Sequence, residues 1–210
     1  MRPSVILLAA GESRRMGDAN KLLLEVRGRP MLSWVVDALL GAGISPDDIV
    51  AVTGSDAERV GDLLKAHHVR CVHHEHWKEG MGSSLAAGAR ALKGRAGDVV
   101  LVMLGDLPEL RSEHIEDVLK AFDPPSRAIC IPVHGEVPGH PALFDARFLG
   151  ELAQCRGDSG AKGVVRRHAG VVWRVEFEDS AVIRDVDTPQ VLAELDAGGS
   201  PPVGCPDDSP

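Results

Sequence analysis

The chain has 210 residues, 44% of them hydrophobic and 26% charged, with a formal net charge of −8 at pH 7. That length and balance suit one large α/β domain with a full core. The acidic charge excludes a nucleic-acid-backbone binder, and an aromatic content of 3% without any Tyr leaves few platforms for base stacking.

The first apolar run, Val5 to Ala10, is too short to span a bilayer, and charged Glu12, Arg14 and Arg15 follow it at once. No basic leader or cleavage pattern of a signal peptide precedes it. Cys71, Cys130, Cys155 and Cys205 are scattered without a Cys-x-x-Cys pair, which suits reduced thiols. The expectation is a cytoplasmic protein that engages neither membrane nor nucleic acid.

In chain order, Ser4 to Leu8 reads as a strand buried on both faces. Pro30 opens a helix that runs to Leu40 and is stopped by Gly41 and Gly43. Ile49 to Thr53 is the second strand, Ala57 to Ala66 a helix, and Val69 to Val72 a third strand. Met81 to Leu92 has helical period, and Asp98 to Leu104 is the strongest buried strand. Ser112 is the expected cap of a helix to about Phe122. Strands follow at Ala128 to Val133 and Pro141 to Phe144, and helices at Ala146 to Gln154 and Ala161 to His168.

Val171, Trp173, Val175 and Phe177 alternate with more polar residues, as in a half-exposed antiparallel strand. A last strand is expected at Ala181 to Arg184, before Thr188 and Pro189 start the final helix. Trp34 and Trp173 are expected in the core. The alternation of strands and helices predicts a three-layer α/β/α sandwich on a mostly parallel sheet. Residues 1–197 form the expected domain, and the Gly- and Pro-rich stretch 198–210 reads as a disordered tail.

Ligands of an open α/β sheet bind beyond the carboxyl ends of its strands. The loop there runs from Leu8 through Ala9, Ala10, Gly11 and Arg15 to Lys21. Small residues let a ligand approach the backbone, while Arg15 and Lys21 supply fixed positive charge in an acidic chain. It is not a Walker loop, because Gly17 is the next glycine after Gly11 and no glycine precedes Lys21. A solvated surface loop is the competing explanation for its basic residues.

Asp106 follows the strongest strand and Asp187 precedes a helix cap, so both are candidates for one oxygen-liganded Mg²⁺. Each also has a duller explanation, Asp106 as a turn residue and Asp187 as a capping acid. The histidines at 67, 68, 73, 74 and 76 lack a recognisable zinc spacing and read as a polar rim. The Gly80-Met81-Gly82-Ser83-Ser84 segment is a weak dinucleotide fingerprint but a reasonable helix start for meeting a nucleotide. His140 reads equally as a satisfied loop residue or as part of an acceptor pocket.

The pattern L-A-A-G-x-S-x-R-M-G followed by lysine resembles the MobA-like NTP transferase family. Within it, the chain is most similar to the molybdenum cofactor cytidylyltransferase (MocA-like) branch. Gly80 to Leu85, Gly105-Asp106-Leu107-Pro108, Gly139-His140-Pro141, Gly157 to Ala161 and Asp185 to Pro189 resemble further motifs of that family.

The resemblance implies a mixed-sheet, Rossmann-like (GT-A-like) nucleotidyltransferase fold. Its function would be Mg²⁺-dependent transfer of CMP from CTP, or of another NMP from its NTP, to molybdopterin, with a molybdoenzyme as recipient. It implies catalytic roles for Arg15, Lys21 and Asp106, and nucleotide contacts from Leu8, Ala9, Ala10, Gly11, Arg15, Lys21, Gly82, Ser83 and Ser84. His140 and Asp158 would meet the acceptor, and Asp106 and Asp187 the metal. Ala10 stands where the guanylyl branch usually has a second glycine, which favours cytidine. Leu107 departs from the Met or Gln usual at that position and leaves the acceptor open. The alternatives are a transferase for a sugar phosphate or another small phosphate ester, a nicotinamide-dependent oxidoreductase, and a non-catalytic molybdopterin carrier.

Overall fold

Alternate residues of the first strand feed two separate cores, and that division sets the layers. In the computed structural model, which describes residues 1–13, 19–124 and 126–197, β1 spans Pro3–Ala9. Val5, Leu7 and Ala9 join one buried cluster, while Ile6 and Leu8 join the other. Successive side chains of a strand point to opposite faces, so a continuous apolar run requires cover on both sides.

The remaining strands are β2 (Glu25–Val26), β3 (Arg29–Pro30), β4 (Ile49–Thr53), β5 (Arg70–His73) and β6 (Val99–Leu104). After them come β7 (Ile129–His134), β8 (Val137–Pro138), β9 (Ala142–Asp145) and β10 (Val172–Glu176). The main sheet runs in the order β10-β7-β9-β6-β1-β4-β5, with β8 hydrogen-bonded to β7. On this path β9 alone is antiparallel to its neighbours, giving a mixed, mostly parallel sheet.

Helices α1 (Met31–Gly41), α2 (Ala57–Ala66) and α4 (Ser112–Ala121) cover one face through Leu32, Leu39, Leu64 and Ile115. On the other face, α3 (Met81–Leu92), α5 (Leu149–Leu152) and α6 (Lys162–Arg167) contribute Leu85, Leu152 and Val164. The result is the expected three-layer sandwich. A third cluster joins Val26, Met31, Trp34, Val186 and Leu195, and so fastens α7 (Pro189–Ala197) outside α1. There the Trp34 indole N–H donates to the Val26 carbonyl at 2.9 Å.

Five expectations need correction. β10 is parallel to β7 and lies at the end of the sheet, with Trp173, Arg174 and Glu176 exposed and Val172 and Val175 half-buried. Trp173, expected in the core, is consequently 44% exposed, with the Arg127 guanidinium 4.0 Å above its ring. The stretch from Ala181 to Arg184 is a turn, not a strand. Its Val182 is buried against a loop, accepting the His140 N–H at 2.8 Å. Ser112 begins α4 without capping it; Arg111 is the N-cap, and its N–H donates to His114 Nδ1 at 3.1 Å. The expected helix from Ala146 to Gln154 is shorter, a 3-10 turn at Ala146–Phe148 leading into α5. The tail from Gly198 lies outside the described residues.

Candidate active site

A cavity of about 520 Å³ opens at the carboxyl ends of β1 and β6. Leu8, Ala9, Ala10 and Gly11 form the wall at the end of β1. No atom of the described residues lies within 4 Å of where a Cβ on Gly11 would stand. The first turn of α3 supplies Gly80, Met81 and Ser84 to the opposite wall. A helix start presents unpaired backbone N–H groups and a partial positive charge, which favours an anion.

Lys21 is the central side chain. Its backbone is held by a 3-10 turn (Lys21–Leu23) in which Asn20 Oδ1 accepts the Leu22 N–H at 3.1 Å. The Lys21 N–H donates to Ser13 Oγ at 3.0 Å, pinning the turn to the end of the β1 loop. Gly105 makes room for this arrangement: a Cβ there would stand 3.0 Å from Leu32 Cδ1 and 3.3 Å from Leu22 Cδ2. Leu22 can therefore pack behind Asp106, and Lys21 reaches forward.

The Lys21 ammonium lies 2.6 Å from Asp106 Oδ2 and 2.5 Å from Asp187 Oδ1. Burial pulls the Lys21 pKa down, but the charges and hydrogen bonds of the two carboxylates outweigh it and leave the value raised. Asp106 Oδ1 is buried and has no hydrogen-bond partner among the described residues. An orphaned buried carboxylate oxygen is costly unless something else satisfies it.

A third carboxylate completes the set. Asp106, Asp185 and Asp187 each offer an oxygen, and these atoms lie within 4.8 Å of one another. The reason is local: Val186 is fully buried in the third cluster and its N–H donates to the Asp106 carbonyl at 3.1 Å. That anchor brings the acids on both sides of Val186 to Asp106. Burial, then the neighbouring Asp106 and Asp187, push the Asp185 carboxyl above its ordinary value. The donor chemistry fits a hard divalent cation such as Mg²⁺, which takes oxygen ligands and keeps positions for phosphate and water. Asp106, Asp185 and Asp187 are the residues that could hold it.

Trp77 and Lys78 line the other end of the cavity, the Lys78 ammonium 5.2 Å from the Trp77 ring centre. Gly54 is required beneath Trp77, because a Cβ there would come within 2.6 Å of the indole and 2.8 Å of the Ala10 carbonyl. Ala10, buried in the second core beside this ring, is part of the same wall.

The MobA-like NTP transferase domain matches residues 5–171. The chain belongs to that family. It is also 30% identical over 196 residues to nicotine blue oxidoreductase of Paenarthrobacter nicotinovorans, covering 90% of this chain and 94% of that one. The bifunctional protein GlmU of Zymomonas mobilis is 39% identical over 132 residues, but the match spans only 28% of GlmU against 60% of this chain. Among solved structures, Rv0371c of Mycobacterium tuberculosis aligns with a TM-score of 0.79 at 26% identity, covering 93% of this chain and 97% of that one.

In this nucleotidyltransferase family member, the expected site residues divide into four groups. Leu8, Ala9, Ala10, Gly11, Lys21, Ser84, Asp106, Asp158 and Asp187 all meet at the cavity. Arg15 lies outside the described residues. Gly82 and Ser83 stand behind the wall. A Cβ at Gly82 would lie 2.6–2.8 Å from the Arg156 backbone, so this glycine permits α3 to touch the loop carrying Asp158. Ser83 is tied within the fold, its Oγ donating to the Gly80 carbonyl at 2.8 Å and lying 2.9 Å from His74 Nε2.

His140 sits outside the cavity lining, its Nδ1 3.1 Å from the Val102 carbonyl. Burial holds its pKa below the ordinary imidazole value, against the opposing effects of the Val102 hydrogen bond and Asp106. Asp185, Trp77 and Lys78 were not singled out from sequence. Asp185 was legible as a second acid in the Asp-x-Asp pattern; Trp77 had no comparable signal.

Proposed function

We propose that the protein transfers CMP from CTP to the phosphate of a molybdopterin-type acceptor, releasing pyrophosphate. The observation that carries the transferase part is the Lys21 ammonium held among Asp106 and Asp187, with Asp185 beside them, next to the open loop at Gly11. A Mg²⁺ held by these acids would neutralise triphosphate charge and that developing on the transferred phosphorus. The loop at Ala9 to Gly11 and the start of α3 would bracket the nucleotide phosphates. Lys21 would then balance charge on the departing pyrophosphate.

No general base is needed, because a phosphate monoester with a second pKa of about 6 is already an anion near neutral pH. Its oxygen attacks the α-phosphorus, a new P–O bond forms, and the bond to pyrophosphate breaks. The protein's contribution is alignment and electrostatic stabilisation. Asp158, next to Gly80 at the cavity rim, would orient the acceptor. The choice of molybdopterin rests on the motifs around His140, Asp158 and Asp187. Cytidine rests on Ala10, whose methyl narrows the wall beside Trp77.

The name of the Paenarthrobacter relative supports a second reading, an oxidoreductase acting on a small organic substrate. Hydride transfer gives no role to three carboxylates grouped around a lysine, which is why the transferase reading is preferred. One experiment separates them. Pyrophosphate release is measured from CTP, GTP, ATP and UTP with Mg²⁺ and purified molybdenum cofactor, alongside NAD(P)H oxidation. Release from CTP that disappears in Asp106→Asn and Lys21→Ala supports the proposal. No turnover of any NTP, together with binding of NAD(P)H, overturns it.

A further inference from the structure

The Lys21 ammonium stands where a cation is wanted. It contacts one oxygen each of Asp106 and Asp187, within a set of acids whose ligand atoms lie within 4.8 Å of one another. We propose that Lys21 is a built-in counter-cation that keeps this carboxylate set closed to free divalent metal until a nucleotide arrives. The inference rests on the transferase reading and adds an order of events to it: metal enters with the triphosphate, not before it.

The physical argument is a competition for the same oxygens. A free divalent ion must displace an ammonium from two carboxylates that already compensate it, at the cost of leaving that ammonium partly buried without partners. A triphosphate in the same cavity changes the balance, because its oxygens offer the ammonium new anionic partners. The exchange requires only side-chain rotation. The Lys21 backbone is fixed by Ser13 Oγ and by the turn capped by Asn20, and Leu22 beside it is buried. Asp106 Oδ1 is buried and without a hydrogen-bond partner among the described residues, so one ligand position is already desolvated when the lysine leaves.

The test reads Mn²⁺ binding by electron paramagnetic resonance on the full chain, with and without α,β-methylene CTP. In the absence of nucleotide, Lys21→Met binds Mn²⁺ at least tenfold more tightly than wild type, while Lys21→Arg, which keeps the cation, stays as weak as wild type. The nucleotide analogue tightens Mn²⁺ binding in wild type, Mn²⁺ tightens the analogue by the same factor as linkage requires, and this coupling shrinks in Lys21→Met. Equal Mn²⁺ affinity of wild type and Lys21→Met without nucleotide overturns the proposal. If Lys21→Met does not fold, wild type decides alone: Mn²⁺ affinity unchanged by the analogue overturns it. A tenfold effect in a protein that turns over no NTP would remove the transferase reading and support the exchange. Turnover with equal Mn²⁺ affinities would do the reverse.

Discussion

Val186→Ala tests whether the acids at 185 and 187 are placed by the core or merely lie near it. Val186 is fully buried against Val26, Met31, Trp34 and Leu195, and its N–H bonds the Asp106 carbonyl. Removing two methyl-sized groups loses about 1.6 kcal/mol of transfer free energy, at roughly 0.8 kcal/mol each. The unfilled space raises the total to about 2–3 kcal/mol. For a chain of this length that lowers Tm by about 5–10 °C. The backbone hydrogen bond survives, but the anchor loosens, and Asp187 must hold its position within the 2.5 Å contact to Lys21. A displacement near 1 Å at a site that works by alignment costs about 10²-fold in rate. The assays are thermal melting, and pyrophosphate release well below the lowered Tm. A normal kcat/KM in a protein whose Tm has fallen as expected would show that Val186 stabilises α7 without positioning the carboxylates. An unchanged Tm would contradict the packing itself.

Gly82→Ala drives a Cβ to 2.6–2.8 Å from the Arg156 backbone, so α3 and the 156–160 loop must separate. About 1–3 kcal/mol of destabilisation is expected by thermal melting, and an unaltered Tm would show that the two segments do not touch. Ala10→Gly removes the methyl beside Trp77 and should raise the GTP/CTP ratio of kcat/KM by about tenfold; competition assays giving an unchanged ratio would remove the case for cytidine. His140 gives a pH effect of defined sign. Its folded pKa is lowered, so the unfolded chain binds the proton more readily. Its stabilising contribution is full above the unfolded value of about 6.5 and is lost as pH falls from there through the folded value. Denaturant melts should show His140→Gln losing less stability than wild type between about pH 6.5 and 5, and parallel profiles would reject the assignment.

The elements most legible in the sequence were those with turn signals at both ends. Ile49–Thr53, Ala57–Ala66 and Met81–Leu92 have the expected bounds. Local pattern failed where burial arises without secondary structure. Ala181 and Val182 are buried like strand residues, yet Val182 is covered by the loop at Gly139 and His140. Trp173 failed for the opposite reason, because strand order, which leaves β10 at the edge, cannot be read from composition. The candidate site divides similarly. Lys21 and Asp106 both carry family motifs, Asp106 just past the end of β6 and Lys21 at the close of the loop that follows β1, so both were visible. Trp77 reaches the cavity only because Gly54, on the neighbouring strand end, leaves space for its ring. Gly82 and Ser83 lie in a glycine-rich segment that resembles a nucleotide contact, but packing against Arg156 and His74 accounts for both.

Charge explains why the site has this construction. Glu12, Asp106, Asp158, Asp185 and Asp187 line the cavity against Lys21 and Lys78, so the described wall is acidic like the chain as a whole. A bare triphosphate would meet those carboxylates as well as the lysines. The same wall attracts a nucleotide whose charge is already reduced by a divalent ion, and it gives that ion oxygen ligands on arrival. An acidic wall is therefore compatible with an NTP substrate, provided metal and nucleotide enter together. Lys21 is the group on which this condition turns: its ammonium offsets the carboxylates while the site is empty of nucleotide, and the triphosphate gives it another partner when the metal takes its place.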